Sequence, residues 1–147
     1  VRVVVQRVKR AAVRVDEKTV GSIEQGLLLF VGIHLADGEK ELAWMAKKLA
    51  SLRLFQDENH RMNLSVKDLG LNVLVISQFT LYGNCKRGNR PDFLDAAKPE
   101  IAEPLYHSFL RHMEKELGED RVASGIFGAK MKVDLLNDGP VTFVIEQ

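Results

Sequence analysis

The run Asn72-Val73-Leu74-Val75-Ile76-Ser77-Gln78-Phe79-Thr80-Leu81 is the most strand-like stretch of the 147-residue chain. Val73 to Ile76 is apolar on both faces, the pattern of a strand buried on both sides. The stretch then turns polar. Alternation along a strand places Ser77 and Phe79 on one face and Gln78 and Thr80 on the other. A buried strand ending in hydroxyl and amide groups is a common place for a ligand site. The plainer alternative is a strand running out to solvent, and these residues alone favour it.

Working outward, a helical pattern lies on each side. Glu39 to about Leu54 carries Leu42, Met45, Ala46, Leu49 and Ala50 at helical spacing, with Glu41, Lys47 and Lys48 elsewhere. Pro99 begins a second helix to about Leu117, with Ile101, Leu105, Phe109, Met113 and Leu117 every four residues and Gly118 ending it. Strands lie beyond the helices. Val1–Val8 is valine-rich, Ala12–Val15 and Thr19–Ile23 flank an Asp16-Glu17-Lys18 turn, and Leu27–His34 follows Gly26 as a buried strand. Met131–Leu136 and Val141–Glu146 close the chain, joined by Asn137-Asp138-Gly139-Pro140. Neighbouring strands at both ends predict antiparallel pairing. The expected fold is therefore α+β: one compact domain over residues 1–147, mostly antiparallel and barrel-like, with two main helices. No repeat, linker or low-complexity tract divides it.

Composition excludes several classes. There are 21 basic and 20 acidic residues, a formal net charge of +1. That balance leaves no polybasic tail and no global signal for nucleic acid, DNA included. The single Cys85 rules out an intramolecular disulfide and a cysteine-based zinc site. His34, His60, His107 and His112 lack zinc-helix spacing, no serine sits in a nucleophile elbow, and no glycine loop with a lysine cradles phosphate. No metal and no cofactor is expected. The longest apolar run, near Leu27–Ile33, is far below the roughly 20 residues of a membrane span, and no signal peptide is visible. A reducing, cytoplasmic setting is the expectation.

Near-neutrality hides segregation. Arg2, Arg7, Lys9, Arg10 and Arg14 occupy the first strands without an acid. Lys86, Arg87 and Arg90 lie in a long polar loop from Gly83 to Lys98, whose length hints at function. Two basic segments could hold phosphates, and a solvated surface is the plainer alternative. Asp138-Gly139 is a strong hairpin-turn signal, although Pro140 removes a backbone donor where a strand should begin.

At Ser77-Gln78-Phe79-Thr80-Leu81 and Gly139-Pro140 the chain resembles the D-aminoacyl-tRNA deacylases, also called D-tyrosyl-tRNA deacylases. The likeness runs through Val4-Val5-Gln6-Arg7-Val8, Gly83-Asn84, Lys86, Gly88, Arg90-Pro91, Ala102, Pro104-Leu105-Tyr106, Gly125, Phe127-Gly128-Ala129, Met131 and Asn137-Asp138-Gly139-Pro140-Val141-Thr142-Phe143. No motif position departs from the pattern. The resemblance implies a homodimer whose sites lie at the subunit interface. Each site would join the Ser77–Thr80 segment of one subunit to Gly139-Pro140 of the other. The dipeptide would be cis rather than a plain turn, oriented by Arg7, and its backbone would exclude an L side chain. The resemblance also implies hydrolysis of the ester of D-aminoacyl-tRNA, with glycine admitted. The terminal adenosine would lie near Ala102, Phe127 and Met131, and phosphates near Lys86, Arg87 or Arg90. No base is visible to activate Thr80, so main-chain donors near Phe79 and Thr80, a water and the substrate's own 2′-hydroxyl are expected to do the chemistry.

Overall fold

A computed structural model describes all 147 residues, Val1–Gln147. The rest of the fold is assembled around β1 (Arg2–Val15). The sequence reads Val1–Val8 and Ala12–Val15 as separate strands with Lys9 and Arg10 between them, yet β1 is continuous over 14 residues. Both residues are exposed, Lys9 falls at a register shift, and pairing with β8 resumes at Arg10. One edge of β1 takes β3 (Gly26–Gly32) along Arg2–Val8 and β2 (Lys18–Ile23) along Ala11–Val15, both antiparallel. The other edge takes β8 (Lys132–Glu146), antiparallel along most of its length.

β8 corrects a second expectation. Met131–Leu136 and Val141–Glu146 are not two arms of a hairpin. They are one strand of 15 residues that passes through Asn137–Pro140 without reversing. Asp-Gly signals a turn only where the flanking residues can pair with each other, and here both flanks pair with β1. The irregularity appears instead as register shifts against β1 at Gln6/Val8 and Val8/Arg10. A bulge of this kind changes which face a strand buries. Val3 and Val5 face the helices, whereas Val8, Ala11 and Val13 join the opposite core.

The centre of the sheet is parallel. β6 (Asn72–Ser77) lies beside β3, and β7 (Val122–Ser124) lies beside β6. These crossovers bury both faces of β3 and β6, which explains their unbroken apolar runs. Leu27, Leu29, Val73 and Val75 face the helices, while Leu28, Leu74 and Ile76 face the concave interior. β2 and β7 end the order β2-β1-β3-β6-β7 yet come together. A Cβ on Gly21 would lie 2.6 Å from the Ser124 carbonyl oxygen, so only glycine permits this approach. The result is a nearly closed, barrel-like mixed sheet.

Two helices cover the outer face. α1 (Glu39–Ser51) buries Leu42, Met45, Ala46, Leu49 and Ala50, as its periodicity predicts, and the Gly38 amide donates to the Glu41 carboxylate at its start. α2 (Pro99–Leu117) buries Ala102, Tyr106, Phe109 and Met113. Its seam is therefore offset from the expected one, and Ile101 is left 57% exposed. Ser108 and His112 of α2 both meet the Glu39 carboxylate, at 2.6 and 2.9 Å, and hold it below the usual carboxylate range. The short pair β4 (Phe55–Gln56) and β5 (Met62–Leu64), like β7, has too few residues to show a period in sequence. No helix is long and apolar enough to cross a membrane.

Candidate active site

β6 stops at Ser77, four residues before the strand expected to Leu81. The Gln78 amide donates to the Val31 carbonyl at 2.8 Å, the last rung against β3. Phe79–Tyr82 then winds into a 3₁₀ turn, closed by Leu81 N–H to the Gln78 carbonyl and Gly83 N–H to the Thr80 carbonyl. The two-face alternation expected for Ser77–Thr80 therefore does not hold. Arg2 pins the turn: its guanidinium donates to the Leu81 carbonyl at 2.6 Å, lies 4.6 Å from the Tyr82 ring centroid and pairs with Glu146 at 2.9 Å. A helical turn leaves its first amides unpartnered. The N–H groups of Phe79 and Thr80, which open the turn, accordingly have no acceptor within it and no side-chain cap.

Beside this turn is a cavity of about 560 Å³. Ser77, Gln78 and Phe79 line it, and so do Ala102 from α2 and Phe127 and Met131 from the segment before β8. Six residues singled out in sequence thus converge on one space, although they span positions 77 to 131. Sequence reasoning missed Tyr106, Phe93 and Lys98, which also line it. Phe93 belongs to the polar loop and meets Phe79 edge-on, with centroids 5.0 Å apart. Nothing in its local pattern distinguishes it. Tyr106 stands in the sequence as a helix residue within the family likeness at Pro104-Leu105-Tyr106, with nothing local to mark its place in the cavity wall.

The Tyr106 hydroxyl donates to the Val75 carbonyl at 3.1 Å. Burial raises its phenol well above the ordinary value, and burial with the nearby Asp37 and Glu146 does the same for Tyr82. Neither is a proton source near neutrality. Tyr106→Phe should cost about 1 kcal/mol in urea unfolding, the usual net worth of one hydrogen bond. The loss stays small because Val75 keeps the Gly125 amide, at 3.0 Å.

Thr80 is exposed, and its hydroxyl accepts from the Gln78 side-chain amide. That amide is its one side-chain partner, and it is not a base. Gly139 and Pro140 are exposed and line no part of this cavity, so one chain does not bring them to Ser77–Thr80. Their peptide bond is cis, and Gly139 has φ +137°. The flanks hold the dipeptide firmly. Arg7, only 7% exposed, donates from Nε to the Asp138 carbonyl at 3.0 Å and from Nη1 to the Leu54 carbonyl at 2.7 Å. The Asn137 side chain accepts from the Val141 amide at 2.9 Å and donates to Thr142 at 2.9 Å. Lys86, Arg87 and Arg90 are exposed in the loop and do not line the cavity.

Residues 4–146 match the family model described as D-Tyr-tRNA(Tyr) deacylase. The chain is 56% identical over 145 residues to a D-aminoacyl-tRNA deacylase of Shouchella clausii, covering 99% of this chain and 98% of that one. It is 52% identical over 145 residues to a D-aminoacyl-tRNA deacylase of Flavobacterium psychrophilum, covering 99% and 96%. Among solved structures, one described as c-Myc DNA Unwinding Element Binding Protein superimposes with a TM-score of 0.96 at 41% identity, covering 100% of this chain and 99% of that one. Another, described as a probable eukaryotic D-amino acid tRNA deacylase, has a TM-score of 0.84 at 18% identity, covers 98% of each chain, and is a likeness of fold.

Proposed function

Because the chain belongs to the D-Tyr-tRNA(Tyr) deacylase family, and is thereby a hydrolase of D-aminoacyl-tRNA, we propose that residues 1–147 form one deacylase domain whose site is the cavity beside Phe79–Tyr82. The observation that carries this placement is the pair of amides that open the turn, Phe79 and Thr80, without a side-chain cap and beside an apolar cavity of about 560 Å³. A nucleoside fits that volume, and Phe127 offers a face for the terminal adenine, with Ala102 and Met131 beside it.

The ester carbonyl oxygen of the substrate accepts from the two amides. As water attacks the carbonyl carbon, charge develops on that oxygen and the same donors stabilise it. The tetrahedral adduct collapses by breaking the bond to the ribose oxygen, which takes a proton and leaves as the tRNA hydroxyl. The neighbouring ribose hydroxyl orients the water. Ser77 and Gln78 position the substrate, and no side chain acts as the nucleophile. Thr80→Ala should then reduce turnover less than tenfold, a loss typical of positioning rather than of a missing nucleophile. Abolished activity, together with a trapped acyl-enzyme in wild type, would overturn this mechanism.

Chiral selection comes from a second copy of the chain. Its Gly139-Pro140 backbone faces the substrate's α-carbon and clashes with an L side chain, so D-residues and glycine enter. Support for a homodimer comes from β8. It pairs with β1 on one edge only and exposes Leu136, Phe143 and Val144 on either side of the dipeptide. Lys86, Arg87 and Arg90 meet phosphates of the acceptor end. The enzyme works in the cytoplasm without metal or cofactor, on tRNA rather than on DNA or a membrane. The decisive assay follows ester loss from D-Tyr-tRNA, L-Tyr-tRNA and Gly-tRNA. Hydrolysis of the first and third with the second spared is the expected result, and equal hydrolysis of all three would end the chiral reading.

A further inference from the structure

Lys98 is the only charged residue lining the cavity. Its backbone is fixed: the Lys98 carbonyl accepts from the Ile101 and Ala102 amides at 2.9 and 2.8 Å, and the neighbouring Ala97 amide donates to the Ile33 carbonyl at 3.0 Å. Its side chain is exposed, and no carboxylate lies within 4 Å of its ammonium. Glu100 and Glu103 lie on α2 nearby but do not line the cavity. An exposed cation without a carboxylate partner, on an otherwise uncharged wall, is placed to meet an anion on whatever fills the space.

We infer that Lys98 binds the 5′-phosphate of the nucleoside held in the cavity, that is, the linkage between the terminal adenosine and the nucleotide before it. The inference rests on the nucleoside reading of the cavity given above. Lys98 then supplies the anchor nearest to the reacting ester, whereas Lys86, Arg87 and Arg90 meet phosphates farther along the strand. A charge-assisted contact at a fixed backbone position holds the nucleoside equally in the ground state and the transition state, because the phosphate is not a reacting group.

Adenosine and adenosine 5′-monophosphate differ only in that phosphate, so both are tested as inhibitors of D-Tyr-tRNA deacylation. Wild type and Lys98→Arg should bind the monophosphate about tenfold more tightly than adenosine, the worth of one charge-assisted contact. Lys98→Ala should bring the ratio to about one and Lys98→Glu below one, with adenosine itself unchanged. For D-Tyr-tRNA, Lys98→Ala should raise KM about tenfold and leave kcat within about twofold. A preference for the monophosphate that survives in Lys98→Ala and Lys98→Glu overturns the inference and leaves the nucleoside reading intact. Failure of adenosine to compete at all overturns both, and the two failures are distinct.

Discussion

Gly139→Ala should lower D-aminoacyl-tRNA deacylation by about a hundredfold, the cost of a displacement near 1 Å at a reacting centre. Two constraints meet at this residue. Its φ of +137° is a conformation that L side chains rarely adopt. An added Cβ would also lie 2.7 Å from Val141 Cγ2, 3.1 Å from the Val141 nitrogen and 3.2 Å from Arg7 Nη2. The Val141 nitrogen is backbone and Arg7 is locked by its own hydrogen bonds, so the dipeptide must move. Gly88→Ala separates the two constraints. Gly88 has φ +61° but nothing within 4 Å of an added Cβ, so that variant should lose about 1–2 kcal/mol of stability to backbone strain alone and keep activity within about threefold of wild type. Mixing tests the placement of the dipeptide in a second copy. Gly139→Ala lacks a competent dipeptide, and Ala102→Trp fills the cavity; co-refolded, the pair should recover activity that neither has alone. Full activity in Gly139→Ala, with L-substrates still spared, would remove the dipeptide from the mechanism.

Arg7→Met should cost about 2–5 kcal/mol in urea unfolding, a large share of the stability of an ordinary domain. The guanidinium is nearly buried and serves two carbonyls from different elements, Leu54 after α1 and Asp138 within β8. Methionine restores the packing but leaves both acceptors without their donor. The Asp138 carboxylate, 3.7 Å from Nε, loses a partner and keeps Lys9 at 3.5 Å. Arg7→Lys retains the charge but cannot point two donors in divergent directions, so about half the loss should remain. The same variants should relax discrimination between D-Tyr-tRNA and L-Tyr-tRNA, because the dipeptide loses its support. A loss of stability with discrimination intact would make Arg7 a structural residue only.

The chain states some of this plainly and is silent on the rest. Helix positions are legible because burial repeats every three to four residues, and Leu42 to Ala50 shows it. Val73 to Ile76 is legible because a strand covered on both faces must be apolar throughout. The family motifs are legible by their joint order. The end of β6 is not, since Ser77-Gln78-Phe79-Thr80 fits a strand as well as a turn in local propensity. Arg2 at the other end of the sequence and the last rung to Val31 settle it as a turn. Asn137–Pro140 misleads for a related reason. The local turn signal is strong, but pairing of both flanks with β1 outweighs it.

The sequence by itself therefore determined what repeats locally: two helices, a doubly buried strand, and the residue types a deacylase uses. Tertiary structure decided where those types meet. Arg7 reaches partners 47 and 131 positions away, and the cavity joins residues from Val31 to Val133. Periodic burial is recorded residue by residue because each turn or pleat contributes its own share of apolar area. The meeting of distant groups, such as Lys98 and Phe127 on the wall of one cavity, depends on strand register and on bulges in a nearly closed sheet, and a one-residue slip there moves a side chain to the opposite face.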